Sequence, residues 1–178
     1  MAGLLLIMEH DPRCKGLDDA KRFADVAGYG WHVLKVFGKS EMPGWAFSIG
    51  LYKNFNQPEI VVFGLNDDLM HLIINSIGED IRSGKSFAID GLYPDLIDVY
   101  SCTFKPVNQV WYPHFLGYAN WFYKGQEYPA LQCIWPDKNS RFPWEPDFNP
   151  NWVWAQPLLF HDEPESARTV ELLQSMRE

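Results

Sequence analysis

The chain has 178 residues, 47% of them apolar and 21% charged, a composition typical of a folded globular protein that excludes one disordered throughout. Its 23 acidic and 15 basic residues give a net charge of −8. This balance argues against electrostatic binding to nucleic acid or to an anionic membrane, because both need clustered cations. It is compatible with a basic protein partner.

The cysteines and the N-terminal segment favour a cytoplasmic protein. Cys14, Cys102 and Cys133 are odd in number and far apart, so we expect neither a disulfide framework nor a thiolate zinc site. The apolar run Ala2–Met8 is short, has no basic region before it and is followed by acidic residues. Because a signal peptide or membrane span differs on each of these points, we interpret the run as a first strand.

The first half of the chain predicts a helix followed by three strands. Apolar residues at helical spacing and a terminal Gly28 predict a helix within residues 16–28. Alternating apolar residues predict two antiparallel strands, Trp31–Phe37 and Trp45–Leu51. The uninterrupted β-branched run Glu59–Leu65 predicts a central strand that is covered on both faces.

The second half predicts one long helix and several shorter elements. Asn66 is suited to an N-cap, and the apolar stripe that follows it predicts a helix over residues 67–83. Five prolines make residues 136–157 a segment ordered by aromatic packing rather than by backbone pairing. The other predicted elements are strands at Ile97–Phe104, Val107–Tyr112 and Ala130–Trp135, a helix at Phe115–Tyr123 and a surface helix at about 163–176.

These elements predict a single domain over residues 1–178. Its class is α+β, with a mostly antiparallel curved sheet or small barrel and flanking helices. Neither an internal repeat nor a low-complexity linker divides the chain.

No motif in the sequence identifies a reaction. The segment Gly84-Lys85-Ser86 resembles the end of a P-loop, but Gly78 lies one position too far away and a helix precedes the segment. The five histidines show neither HxxxH nor HxH spacing, so only convergence in three dimensions could make a metal site. The sequence therefore predicts no catalytic residue, no metal and no cofactor, and it does not favour an enzyme.

Aromatic residues and acids are the unusual feature of the chain. It has 8 Trp, 8 Tyr and 12 Phe, concentrated between Tyr100 and Trp154. An acidic surface beside exposed rings suits an inhibitor of a basic enzyme, because charge steers association and buried rings anchor it. The other interpretation is a solvated surface over an aromatic core. The predicted partner-binding residues are Asp90, Asp95, Asp98, Trp111, Tyr112, Trp121 and Trp152.

Several short blocks stand out along the chain: Gly30-Trp31, Pro43 with Trp45–Leu51, Gln57–Leu65, Leu131–Asp137, Arg141–Trp144 and Gln156–Leu159. In their order and spacing they resemble the bacterial family that carries domain of unknown function 4262. They span about residues 28–160, and the resemblance implies no established catalytic residue. The chain departs from the family in having Phe47-Ser48 where Tyr-Thr is usual. It also has the apolar Ala2–Met8 where a longer acidic or cysteine-bearing lead is frequent.

Two classes of function follow. The first is a cytoplasmic immunity-type protein that neutralises a cognate antibacterial toxin, expected to be basic, by covering its active site. Such a protein needs neither nucleic acid nor membrane. The alternative rests on an analogy with flavin-reductase-type split barrels and is a flavin- or nucleotide-binding enzyme. Its phosphate would be held by Ser48, Arg82 and Lys85.

The family-like blocks are interpreted as scaffold rather than as a site of turnover. We expect Glu59 to be buried, to bond the backbone at the end of the Ser48 strand, and to pair with Arg141. Trp135 and Trp144 are expected to close one end of the sheet.

Overall fold

The computed structural model describes residues 19–39 and 42–163. The predicted strand Ala2–Met8 lies outside the described residues. So does the predicted C-terminal helix, apart from its first residue.

Six strands form one open, mixed sheet, β1 (His32–Val36), β2 (Trp45–Ile49), β3 (Glu59–Phe63), β4 (Leu92–Ile97), β5 (Tyr100–Pro106) and β6 (Ala130–Ile134). Their order across the sheet is β1-β2-β3-β6-β5-β4. All neighbours are antiparallel except β3 and β6, which run parallel. Because β1 and β4 lie at opposite edges, the sheet is open and does not close into the small barrel that was the other predicted form. The α+β class is confirmed.

Helices cover both faces of the sheet. They are α1 (Asp19–Gly28), α2 (Leu51–Phe55), α3 (Asp67–Arg82), α4 (Tyr112–Phe115) and α5 (Gly117–Tyr123), with short 3-10 turns at Gln109–Trp111 and Pro150–Trp152. One core cluster joins the sheet to α3, and a second joins it to α1, α4 and α5. Since successive strand side chains point to opposite faces, β2, β3 and β6 are buried at every position. The predicted central strand is confirmed.

Helix α3 forms where the sequence predicts it. The Asn66 side chain accepts the Leu69 N–H at 2.8 Å and so satisfies one of the free donors of the first turn. Ile73 and Ile77 are fully buried against the sheet. The helix also passes directly over Trp31, since a Cβ on Gly78 would lie 2.3 Å from that indole ring.

The β4 region and the segment after β5 differ from the prediction. The predicted strand Val107–Tyr112 is wrong: the Asn108 side chain accepts the Val110 N–H at 3.2 Å and starts a 3-10 turn that leads into α4. The predicted strand Ile97–Phe104 spans a turn, because Ile97 ends β4 and β5 starts three residues later. Pro94 hides β4 from a pattern analysis, although an edge strand tolerates proline.

Two buried glutamines hold the proline-rich C-terminal segment against β6. Gln156 accepts the Trp135 N–H at 3.3 Å and donates to the Trp135 carbonyl at 2.6 Å. Gln132 donates to the Pro157 carbonyl at 2.7 Å and accepts the Leu159 N–H at 3.0 Å. The segment is therefore ordered by side-chain hydrogen bonds to the backbone as well as by the aromatic packing that the sequence predicts.

Candidate functional site

A cleft of about 330 Å³ opens where the parallel strands β3 and β6 end. Leu65 follows β3, Trp135 and Pro136 follow β6, and Ile97 and Tyr100 reach the cleft from the turn between β4 and β5. Trp152 forms a further wall. The lining is mainly apolar, and the volume is at the lower end of the roughly 300–1,000 Å³ typical of ligand sites.

The walls of the cleft are fixed by contacts outside it. The indole N–H of Trp135 donates to the Phe63 carbonyl at 2.8 Å, and the Trp152 ring lies edge-on to Trp135 with centroids 6.0 Å apart. Gly64 has a φ of +74°, and a Cβ there would lie 2.2 Å from the Ala155 carbonyl oxygen. The cleft is consequently formed before anything binds in it.

The carboxylate of Asp137 serves the loop rather than the cleft. It accepts the backbone N–H groups of Asn139 at 2.8 Å, Arg141 at 3.1 Å and Asn149 at 3.1 Å. Burial alone opposes ionisation of this group, but these three donors outweigh burial and lower its pKa. Lys138, exposed at the cleft, forms no ion pair with a described residue.

The β4–β5 hairpin beside the cleft presents apolar and acidic side chains to solvent. Leu92 is 64% exposed and Val99 is 76% exposed. Asp95 and Asp98 are exposed and make no ion pair within residues 19–39 and 42–163. Asp98 lies in the turn between Ile97 and Tyr100, both of which line the cleft. We call the cleft together with Leu92, Asp95, Asp98 and Val99 the hairpin–cleft surface.

The structure separates the predicted partner-binding residues. Asp95, Asp98 and Trp152 lie on the hairpin–cleft surface, whereas Asp90 precedes β4 and pairs with Lys105. Trp121 lies on α5, 5.8 Å from the Phe23 ring.

The expected exposure of Trp111 and Tyr112 is wrong, since they are 4% and 2% exposed. Both rings belong to the core cluster that joins the sheet to α1, α4 and α5. The Trp111 indole donates to the His161 carbonyl at 2.6 Å and the Tyr112 hydroxyl to the Tyr128 carbonyl at 2.9 Å.

Glu59 is a fully buried carboxyl group that, among residues 19–39 and 42–163, has hydrogen-bond donors but no cation as partners. Ser48 Oγ donates to it at 2.5 Å, the Gly50 and Tyr52 N–H groups donate at 2.9 and 3.1 Å, and the Tyr123 hydroxyl also donates. Burial outweighs these four donors and raises the pKa of Glu59. The expected bonds to the end of the Ser48 strand are present.

The predicted pairing of Glu59 with Arg141 is wrong. The Arg141 guanidinium instead donates to the Asp147 carbonyl at 2.8 Å, within the loop after β6. Peptide N–H and hydroxyl groups satisfy Glu59 in its place, so no side-chain cation has to be desolvated beside it.

The residues proposed for a flavin phosphate do not converge. Ser48 is buried and bonded to Glu59. Arg82 pairs with Glu79, and Lys85 pairs with Asp80 at 2.7 Å, both at the C-terminal end of α3. These three side chains therefore do not form a phosphate site.

Most residues of the cleft lining, including Leu65, Ile97 and Tyr100, were not predicted from the sequence. Two predicted strands, Glu59–Leu65 and Ala130–Trp135, end at this cleft. Ligands tend to bind where parallel strands end, but the sequence does not show that β3 and β6 are parallel neighbours.

The described part of the chain contains neither a cluster of metal ligands nor a membrane-spanning helix. Across residues 19–39 and 42–163, no group of three or more His, Cys, Asp or Glu side chains is placed to hold a metal ion. Among the helices described there, none combines the length and apolarity that crossing a bilayer requires. The hydrogen bond with Cys102, followed by burial, raises the pKa of the buried Cys133 thiol, so this thiol remains protonated.

The fold and the cleft define an α+β protein with an open mixed sheet, helices on both faces and an apolar site where its two parallel strands end. The family model described as Domain of unknown function (DUF4262) matches residues 25–149. The chain belongs to that family, which confirms the resemblance of its sequence blocks. No curated protein and no solved structure matches the chain.

Proposed function

We propose that this protein is a cytoplasmic immunity-type inhibitor that binds a cognate, basic antibacterial toxin through the hairpin–cleft surface and covers the toxin's active site. One observation carries the proposal: the turn whose neighbours Ile97 and Tyr100 line the apolar cleft exposes Asp98 and Val99, and the same hairpin exposes Leu92 and Asp95. Such an arrangement combines electrostatic steering with a place for a buried anchor.

Charge supports a basic partner. Asp95 and Asp98 have no cation of the described chain beside them, and the whole protein carries a net charge of −8. Exposed acids of this kind raise the association rate with a positive surface and lower it with a negative one. A toxin that binds an anionic substrate has a positive active site, so the same acids favour docking over that site.

The cleft supports an anchored complex. Its walls include Tyr100, Trp135 and Trp152, and the last of these is 37% exposed before binding. Side chains that fill such pockets at the centre of an interface usually contribute most of the binding energy. We therefore place one apolar or aromatic side chain of the toxin in the cleft.

Recognition takes place through side chains rather than by strand addition. β4 is an edge strand, but it contains Pro94 and its pairing with β5 shifts register between Tyr93 and Ile97. Both features hinder the pairing of another chain with the edge.

The test asks first whether a toxin-like gene adjoins the gene for this protein, and then measures association and dissociation rates together with toxin activity for the purified product of that gene. A neighbourhood without such a gene contradicts the proposal. The double substitution Asp95→Lys with Asp98→Lys should slow association at low salt, and the difference should shrink as salt rises. Glu127→Lys with Glu163→Lys is the matched control, because it makes the same change of charge at exposed positions outside this surface. The control should associate faster than the double substitution on the hairpin.

The contribution of the cleft wall to the binding of the anchor is tested separately. Trp152→Ala should speed dissociation by about 30-fold, which corresponds to about 2 kcal/mol. Equal association of both charge variants with the toxin at low salt, or undiminished toxin activity in the presence of an excess of this protein, contradicts the proposal.

A further inference from the structure

A second and polar groove, of about 240 Å³, lies along the β1 edge of the sheet. Asp25 on α1, His32 and Val33 on β1, and His71 and Asn75 on α3 contribute to its lining. It is separate from the hairpin–cleft surface, which lies beyond β3 toward the opposite edge strand. Its lining is mainly polar, whereas that of the cleft is mainly apolar.

His32 is fixed in one tautomer. Its Nδ1 lies 2.8 Å from Asp25 Oδ2, and the same oxygen accepts a hydrogen bond from Lys21 Nζ at 2.7 Å. Because the carboxylate only accepts, Nδ1 carries the proton and Nε2 of the neutral ring is an acceptor. No residue in the described ranges bonds to this Nε2.

Asn75 is also oriented by a buried neighbour. The Trp31 indole N–H donates to Asn75 Oδ1 at 3.0 Å, and Trp31 is only 1% exposed. This bond directs the amide nitrogen of Asn75 toward His71, 3.4 Å from both ring nitrogens. An amide nitrogen has two hydrogens, so one remains for a ligand.

The charges around the groove are already paired. Lys21 is bound to Asp25, Lys35 lies 3.8 Å from Asp68, and Glu79 accepts from both Tyr29 and Arg82. An anionic or cationic ligand would therefore find no opposite charge free among these residues.

We propose that this groove binds a small neutral ligand with an N–H donor beside a carbonyl oxygen, such as a carboxamide or the amide edge of a nucleobase. His32 Nε2 accepts from the ligand N–H, and the Asn75 amide donates to the ligand carbonyl. The groove volume suits a molecule smaller than those bound by typical drug-sized sites, which are about 300–1,000 Å³.

The test follows the histidine ring nitrogens of the ¹⁵N-labelled protein by NMR while nicotinamide is added. Nicotinate serves as the matched ligand, because it replaces the carboxamide with a carboxylate on the same ring. Nicotinamide should shift the His32 Nε2 signal saturably at millimolar concentration, and nicotinate should not. The absence of a saturable shift with nicotinamide, or an equal shift with nicotinate, overturns the proposal.

Variants assign the effect to the groove. His32→Phe and Asn75→Leu should each weaken nicotinamide binding by at least tenfold. Leu72→Ala should not, because Leu72 is 61% exposed on the same helix and does not line the groove. Retention of binding by a folded His32→Phe or Asn75→Leu protein overturns the proposal.

A measurement on the unmodified protein covers the case in which these variants do not fold. Burial lowers the pKa of His32; Asp25 opposes this effect, while Lys21 and Arg22 add to it. Burial and the charge of Lys35 lower the pKa of His71, whereas the charge of Asp68 acts in the opposite direction. Binding should weaken as the pH falls through the pKa of His32, since protonated Nε2 no longer accepts. Binding that is constant across this range contradicts the assigned role of His32.

Discussion

Replacing Glu59 with Gln tests whether this buried acid is held as an acceptor. Gly50, Tyr52 and Tyr123 all donate to Oε1, and Ser48 donates to Oε2. Ser48 Oγ also accepts the Ile60 N–H at 2.9 Å, and if it used its second lone pair to accept from an amide, its own hydroxyl proton would lose its acceptor. An amide at this position puts an NH₂ group in place of one acceptor, so that donors face donors inside the core.

The magnitude follows from the number of groups left unpaired. A buried donor without an acceptor costs about 1–3 kcal/mol. Compared even with the protonated acid, which brings one hydrogen and keeps two accepting oxygens, the amide brings two hydrogens and keeps one accepting oxygen, so at least one further hydrogen of its own and one of its neighbours are left unpaired. We expect Glu59→Gln to lower the free energy of unfolding by about 2–4 kcal/mol. The same substitution at exposed Glu127 is the control and should change it by less than about 0.5 kcal/mol.

The assay is urea unfolding followed by circular dichroism at several pH values. Because burial raises the pKa of Glu59 in the folded state, its contribution to stability is fully present below the unfolded pKa of about 4.5 and is lost as pH rises through the folded pKa. The difference in the free energy of unfolding between the native protein and Glu59→Gln should therefore become smaller as the pH rises. A loss of unfolding free energy no larger than that of the Glu127→Gln control contradicts the assigned role of Glu59. So does a difference between the native protein and Glu59→Gln that becomes larger as the pH rises.

Three further substitutions test the fold. Ile73→Asp places an unpaired charge beneath α3 and should lower the free energy of unfolding by several kcal/mol, which is much of the usual stability of a domain. Leu72→Asp on the exposed side of the same helix should not, and thermal unfolding of the two variants distinguishes them. Gly64→Ala should cost about 3 kcal/mol or more in urea unfolding, because its Cβ meets the Ala155 carbonyl at a positive φ. Trp144→Ala should cost less than about 2 kcal/mol, since Trp144 is 42% exposed, and a loss in the range of about 3–5 kcal/mol typical of a core Trp contradicts this.

Elements with strong local signals were predictable from the sequence. The helix after Asn66 has a cap and a long apolar stripe, and the run Glu59–Leu65 is too apolar for a strand with an exposed face. Both form as predicted. The segment Val107–Tyr112 shows the limit of the method, because a side-chain cap at Asn108 overrides its strand-like composition.

The candidate site was less predictable because it depends on which strands are neighbours. The acids of the hairpin could be named from composition, but their position beside the cleft requires β4 and β5 to lie next to β6. Burial was the other unknown. Trp111 and Trp152 have the same large side chain, yet Trp111 is in the core and Trp152 is partly exposed. This difference arises only from tertiary packing.

The parallel pairing of β3 with β6 also constrains how the chain folds. Ile60 and Leu131 are partners in the sheet, although α3, the β4–β5 hairpin, α4 and α5 lie between them in the chain. The antiparallel pairs β1–β2, β2–β3 and β4–β5 join strands that are close in sequence and so close short loops, whereas β5–β6 closes a longer loop that contains α4 and α5. The central pair β3–β6 closes the longest loop of all, at a larger entropic cost. We expect the two halves of the sheet to form first and the insertion of β6 between β3 and β5 to limit the rate of folding.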